Sequence, residues 1–209
     1  MSELNQAPTR AAILALKEER AVVGEAYDFL DEKRLLLAAE LLRQLERYER
    51  LRVELTALAA TARERLRAAA KRHGLQGISV YPVLPLEGFR IETRHYNFMG
   101  VTLAEHRLEL PSTGPRSPAP ACNPSHEAEA CRSAFEEFLL QGTAFAEVSG
   151  NLHRLLLEYR LTERRARALE NIILPELGHA LATMSTQLEE MELEDVIRAH
   201  RFGSRSQAC

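Results

Sequence analysis

"ILALKEERAVVGEAYDFLDEKRLLLAAEL", residues 13–41, decides the fold. Stepping alternately three and four residues from its first position gives Ile13, Leu16, Arg20, Val23, Tyr27, Leu30, Arg34, Leu37 and Leu41. The series continues without a break through Gln44, Tyr48, Leu51, Leu55, Leu58, Ala62, Arg65 and Ala69. All but Arg20, Arg34, Gln44 and Arg65 are apolar. A globular helix does not hold a 3-4 alternation for this long, whereas a left-handed coiled coil requires it. Thr9 is placed to cap the start, and "KRHG" (71–74) ends the run with basic residues and then glycine. A helix over 10–73 is expected, about 95 Å long at 1.5 Å per residue. Arg20, Arg34 and Arg65 are read as snorkelling side chains.

Outward from this run, a second one follows. Ala128, Cys131, Phe135, Phe138, Gly142, Phe145, Val148, Leu152, Leu155, Tyr159, Thr162, Ala166, Leu169 and Ile173 keep the same alternation. The next step is four where three is due, to Leu177, and then Ala180, Met184, Gln187 and Met191. The slip falls at Pro175, which is expected to bend the helix where its seam changes register. A second helix is expected over 125–202, capped by Asn123 or Ser125 and ended by Arg198, His200 and Arg201 before Gly203. Residues 1–9 and 203–209 are read as tails.

The intervening residues 74–124 form a small insert. "GFRIETRHYNFMGVTLAEHRLEL" (88–110) is its only β-like stretch, with Gly100 at a turn or bulge. "PSTGPRSPAPACNP" (111–124) is a Pro-rich loop expected to be mobile. The fold class is therefore mainly α: a long antiparallel two-helix coiled coil with a β-hairpin-like insert and a Pro-rich loop between the helices. Fold-back through the insert places residues whose numbers add to about 199 opposite each other. On that register Arg164, Arg165 and Arg167 are expected to form interhelical ion pairs with Asp28, Asp31 and Glu32. Apolar residues outside the strict seam, among them Leu14, Val22, Phe29, Leu35, Leu36, Leu42 and Leu45, widen the stripe and are expected to meet another chain.

Composition narrows the function. The chain has 209 residues, no tryptophan and a formal charge of -3, which argues against a dedicated nucleic-acid binder. No stretch of about 18 apolar residues is present, so no transmembrane insertion is expected. MSELNQAPTR lacks the basic-then-apolar layout of a signal peptide. Cys122, Cys131 and Cys209 show no metal-binding spacing and are read as reduced thiols.

Three stretches carry a family resemblance. "APTRAAILALKEERAVVGEAYDFLDEKRLLL" resembles the start of the D subunit of the V-type and archaeal-type rotary ATPases. "NFMGV" (97–101) is similar to that family's central segment, and "LTERRARALENIILPELGHALATMSTQLEEMELED" to its C-terminal signature, proline included. The resemblance covers both long helices and is weaker across 102–134. It implies a central rotor shaft without an active site or cofactor, cytoplasmic and peripheral to the membrane. The implied partners are the catalytic and regulatory subunits of a hexamer, the F subunit of the rotor and the socket on the membrane rotor. On this reading the candidate subunit contacts are Thr9, Arg10, Phe29, Leu36, Asn97, Met99, Gly100, Met191 and Glu192.

Other motifs carry less. Glu92–His95 and Glu176–His179 have the ExxH spacing of di-iron bundles, but the first lies in a strand-like segment and further inward glutamates are missing. Cys122, His126 and Cys131 lack a fourth zinc ligand. The basic run Arg63, Arg65, Arg67, Lys71, Arg72 is read as a solvated face near a helix end, with docking to another rotor component as the rival. The acidic run Glu189, Glu190, Glu192, Glu194, Asp195 is likewise read as solvated. No phosphate-binding glycine loop or nucleophile–base set is present. The alternative to a rotor shaft is a helical-hairpin adaptor or prefoldin-like holdase.

Overall fold

The computed structural model describes residues 9–81, 90–109 and 123–206. The order is α1 (Arg10–Val80), β1 (Arg90–Phe98), β2 (Val101–Glu109), α2 (His126–Ala168), a π-helical turn (Leu169–Ile173) and α3 (Leu174–Ser206). Mainly α architecture with one antiparallel two-stranded hairpin between long helices is thus observed. The Pro-rich segment up to residue 122 and most of the N-terminal tail lie outside the described residues. So do Cys122 and Cys209, and with Cys122 the imagined zinc set. The chain divides into two compact units: residues up to Leu36 with those from Arg160, and Leu37–Tyr159.

In the unit built from the two chain ends, α1 starts where the capping rule places it. Thr9 Oγ1 accepts the Ala12 amide at 3.2 Å. Ile13 is buried and Leu16, Val23, Tyr27 and Leu30 are half-buried, while Arg20 is exposed. Facing them, Thr162, Ala166, Ala180 and Met184 are buried. The direction is antiparallel: Arg10 Nη2 lies 2.7 Å from Glu192 Oε1, and Tyr27 lies in the field of Glu170.

The slip in the second seam has a specific form here. The Leu174 amide donates to the Leu169 carbonyl, a bond five residues back rather than four. Such a turn holds one residue more than an α turn, which converts a seam step of three into four. Pro175 follows at once and has no amide to give to the Asn171 carbonyl, so the regular ladder is already interrupted at this point. Proline and π turn therefore answer the same register change. Pro175→Ala restores a donor but leaves the seam spacing unchanged. We expect it to fold, with a stability change of about 1 kcal/mol or less and a melting shift of roughly 2–4 °C. Thermal melting followed by far-UV circular dichroism checks this; loss of the helical signal would mean that Pro175 is needed for folding.

In the second unit, α1 carries Leu37, Gln44, Ala62 and Ala69 buried, and Leu41, Tyr48, Leu51, Leu55 and Leu58 half-buried, at the expected spacing. Arg65 is exposed. α2 answers antiparallel: Tyr48 packs on Phe145 with ring centroids 5.0 Å apart, Gln141 donates to Glu54 at 2.5 Å, and Arg72 pairs with Glu127 at 3.5 Å. The far end is tied by His73 and Ser125, whose Nε2 and Oγ are 2.6 Å apart. Ser125 Oγ also accepts the Ala128 amide at 3.2 Å, which makes Ser125 the cap of α2.

The helices do not stop at 73 and 202. Gly74 leaves helical geometry, with φ 69° and ψ 167°, as a terminating glycine does. The chain then turns helical again to Val80, with Tyr81 donating its amide to Ile78. α3 runs past Gly203 to Ser206. Glycine permits a helix to end but does not compel it.

Candidate functional site

The insert is where sequence, packing and surface meet. β1 and β2 pair in register from Arg90↔Glu109 to Phe98↔Val101, leaving a two-residue turn, Met99–Gly100. Both turn residues have positive φ, 49° and 85°. This is the turn geometry that matches strand twist, and glycine meets it without cost. Methionine does not. Two contacts hold it there. The Asn97 Oδ1 accepts the Gly100 amide at 2.8 Å, and Met99 packs with Phe98 against the cluster Leu37, Val101, Leu103 and Leu155.

The two edges of the hairpin are treated differently. Around a two-residue turn, Ala104 and His106 point their backbone groups away from β1. α2 supplies the missing partners. Asn151 Oδ1 accepts the Ala104 amide at 2.9 Å, and its Nδ2 donates to the Ala104 carbonyl at 2.6 Å. Glu147 Oε2 accepts the His106 amide at 2.8 Å. One helical turn apart, these two side chains act as a surrogate strand. Both are buried, and Glu147 also faces Arg47 at 3.4 Å. Neither was singled out from sequence. The only signal was a polar pair at i, i+4 beside the seam residues Val148 and Leu152.

A second buried carboxylate, Glu40, lies on α1. Glu40 accepts two bonds from Arg43, at 2.9 and 2.8 Å, and one from Gln44 at 2.8 Å. Burial opposes its ionisation, but these hydrogen bonds and the Arg43 charge outweigh burial and hold its carboxyl below the usual range. Tyr96 on β1 is pushed up, first by burial and then by the Glu40 charge. A depressed folded-state pKa contributes stability above the unfolded value, lost as pH falls through the folded one. The melting temperature is therefore expected to drop as pH falls below the ordinary glutamate value of about 4.3, and Glu40→Gln to flatten part of that drop. Equal slopes for both proteins would remove Glu40 from the account.

The expected surface residues fall into three groups. Thr9 is the cap, and Arg10 and Glu192 pair with each other. Phe29, Leu36 and Met191 are exposed, as are Leu14, Val22, Leu35, Leu42 and Leu45. Asn97, Met99 and Gly100 form the hairpin tip, and Pro175 follows the π turn.

The ion pairs seen around the expected interhelical set lie within single helices. Arg167 pairs with Glu163 at 2.7 Å and Asp31 with Arg34 at 2.5 Å, each within its own helix. Among the described residues no ion pair joins Arg164, Arg165 or Arg167 to Asp28, Asp31 or Glu32. The three arginines and two of the three acids are exposed. A partner at i, i+3 or i, i+4 is already in reach, and a water-exposed pair across the seam gains too little to displace it.

No group of three or more His, Cys, Asp or Glu among the described residues is arranged to hold a metal ion. No helix there is long and apolar enough to cross a membrane.

Comparison with known proteins adds a further finding. A family model for the D subunit of ATP synthase matches residues 12–203. The D subunit of the V-type ATP synthase of Thermotoga neapolitana is 27% identical over 199 residues, covering 95% of this chain and 97% of that one. The D subunit of the A-type ATP synthase of Methanosarcina acetivorans is 28% identical over 210 residues, covering 98% and 99%. That of a Desulfurococcus species is 31% identical over 201 residues, covering 95% and 93%.

Proposed function

The chain belongs to the ATP synthase D-subunit family, and from that premise we propose that it is the central rotor shaft of a V/A-type ATP synthase. It couples ATP synthesis or hydrolysis in a catalytic hexamer to proton or sodium transport across the membrane, and carries no catalytic step itself. The observation that carries this reading is the family match over residues 12–203, which includes both helical arms and the hairpin.

The geometry supports a mechanical role. A shaft must resist twisting, and each unit is built on antiparallel helices with a buried seam. It must also turn within its housing, and the last stretch of α3, 191–201, is exposed throughout, with Glu192, Glu194, Asp195, Arg198 and Arg201 interleaved with apolar residues. The partners on this reading are the hexamer subunits, the F subunit and the membrane-rotor socket, with the protein held at the membrane surface through them. Reversible tethering of the chain to the hexamer during ATP hydrolysis is the experiment that tests it.

A further inference from the structure

The seam is not the only heptad feature of α1. Ala15, Val22, Phe29 and Leu36 also stand seven residues apart, on a face turned away from the buried series. The last three are 64%, 61% and 50% exposed, so no described residue covers them. Seven-residue spacing drifts about 20° per repeat on a straight helix, so a stripe that keeps it suits a partner that supercoils left-handedly alongside. Beside this stripe runs a second one, Glu18, Glu25 and Glu32, at the same interval and exposed. Among the described residues these three carboxylates have no ion-pair partner.

We propose that this face docks an amphipathic α-helix whose apolar heptad seam is flanked by lysine or arginine. The apolar stripe takes the partner's seam residues, with Phe29 as the central knob. The row of carboxylates sits where flanking positions of a coiled coil carry their charges, and selects a basic flank. A second copy of this chain laid antiparallel on this face fits poorly, because it sets the glutamate rows against each other. The inference deepens the expected subunit contacts at Phe29 and Leu36, but it is argued from α1 alone, and the titration below can fail while the tethering test of the rotor reading succeeds, or the reverse.

The test uses the full chain and two synthetic helix-forming peptides of about 28 residues, or four heptads, with leucine at the seam and either lysine or glutamate on both flanks. Titration is followed by fluorescence anisotropy. The lysine-flanked peptide is expected to bind, and the glutamate-flanked one not to. Phe29→Asp should weaken binding at least about tenfold, although it adds negative charge; attraction by charge alone would instead tighten it. The triple change Glu18→Gln, Glu25→Gln, Glu32→Gln should weaken binding comparably and remove most of its salt dependence. All these side chains are exposed, and unchanged thermal melting confirms that the variants stay folded. No binding by the lysine-flanked peptide, equal binding by both peptides, or binding untouched by Phe29→Asp overturns the proposal. So does self-association of the chain in sedimentation that Phe29→Asp abolishes, since the occupant is then a second copy.

Discussion

A complex in which this chain is tethered to the hexamer by one disulfide is expected to lose steady ATP hydrolysis and to regain it on reduction. The cysteine is best placed at Glu189, which is exposed. Glu192 is a poorer choice because it is held by Arg10 at 2.7 Å. Cys122, Cys131 and Cys209 are replaced beforehand so that only one thiol reacts. The partner cysteine sits on the facing component of the hexamer. A rotor must pass every catalytic site in turn, so a single covalent link blocks all turnovers beyond the first fraction of a revolution. A static scaffold tolerates the same link. Controls carrying either cysteine alone remain active in both oxidised and reduced states. Hydrolysis at the full rate by completely crosslinked complexes would remove the shaft reading.

Replacing Asn151 is expected to release the hairpin from α2. The side chain satisfies both backbone groups of Ala104, and it is buried. Asn151→Leu keeps the branching and the number of side-chain heavy atoms, though it is bulkier, and removes both bonds, leaving a buried amide and a buried carbonyl without partners. Each such group costs about 1–3 kcal/mol, so a loss of roughly 2–5 kcal/mol is expected. The loss should concentrate at the insert. Hydrogen exchange at the Ala104 and His106 amides should accelerate by orders of magnitude, while amides of α1 near Ile13 keep their protection. Protection at Ala104 that survives the substitution would show that Asn151 does not hold the strand.

The helical seams were legible because burial in a two-helix pair is set mainly by local period. A residue every 3.5 positions faces the partner whatever lies beyond it. Thr9 as a cap, Ser125 as one of two candidate caps, and Gly100 in the turn, were legible for the same reason: each answers a backbone need within a few residues. The seam slip before Leu177 was visible as a count, but its form was not. Whether one extra residue is absorbed by a bend or by a π turn depends on how the helix packs against its neighbour.

What the sequence by itself determined is therefore the α class, the fold-back order, most of the seam and the place of the register change; Phe135, Ile173 and Met191 keep the spacing of the seam but stand exposed. What only the tertiary structure decided is pairing at a distance. Opposite Tyr48 stands Phe145 rather than Asn151, and Asn151 is left to reach Ala104. Arg167 and Asp31 found partners on their own helices, because a neighbour one turn away costs less ordering than one across the seam. Glu147 and Asn151 looked like ordinary surface polar residues until a strand edge lay against them. Their role depends on a backbone segment more than 40 residues away, and periodicity carries no information across that distance.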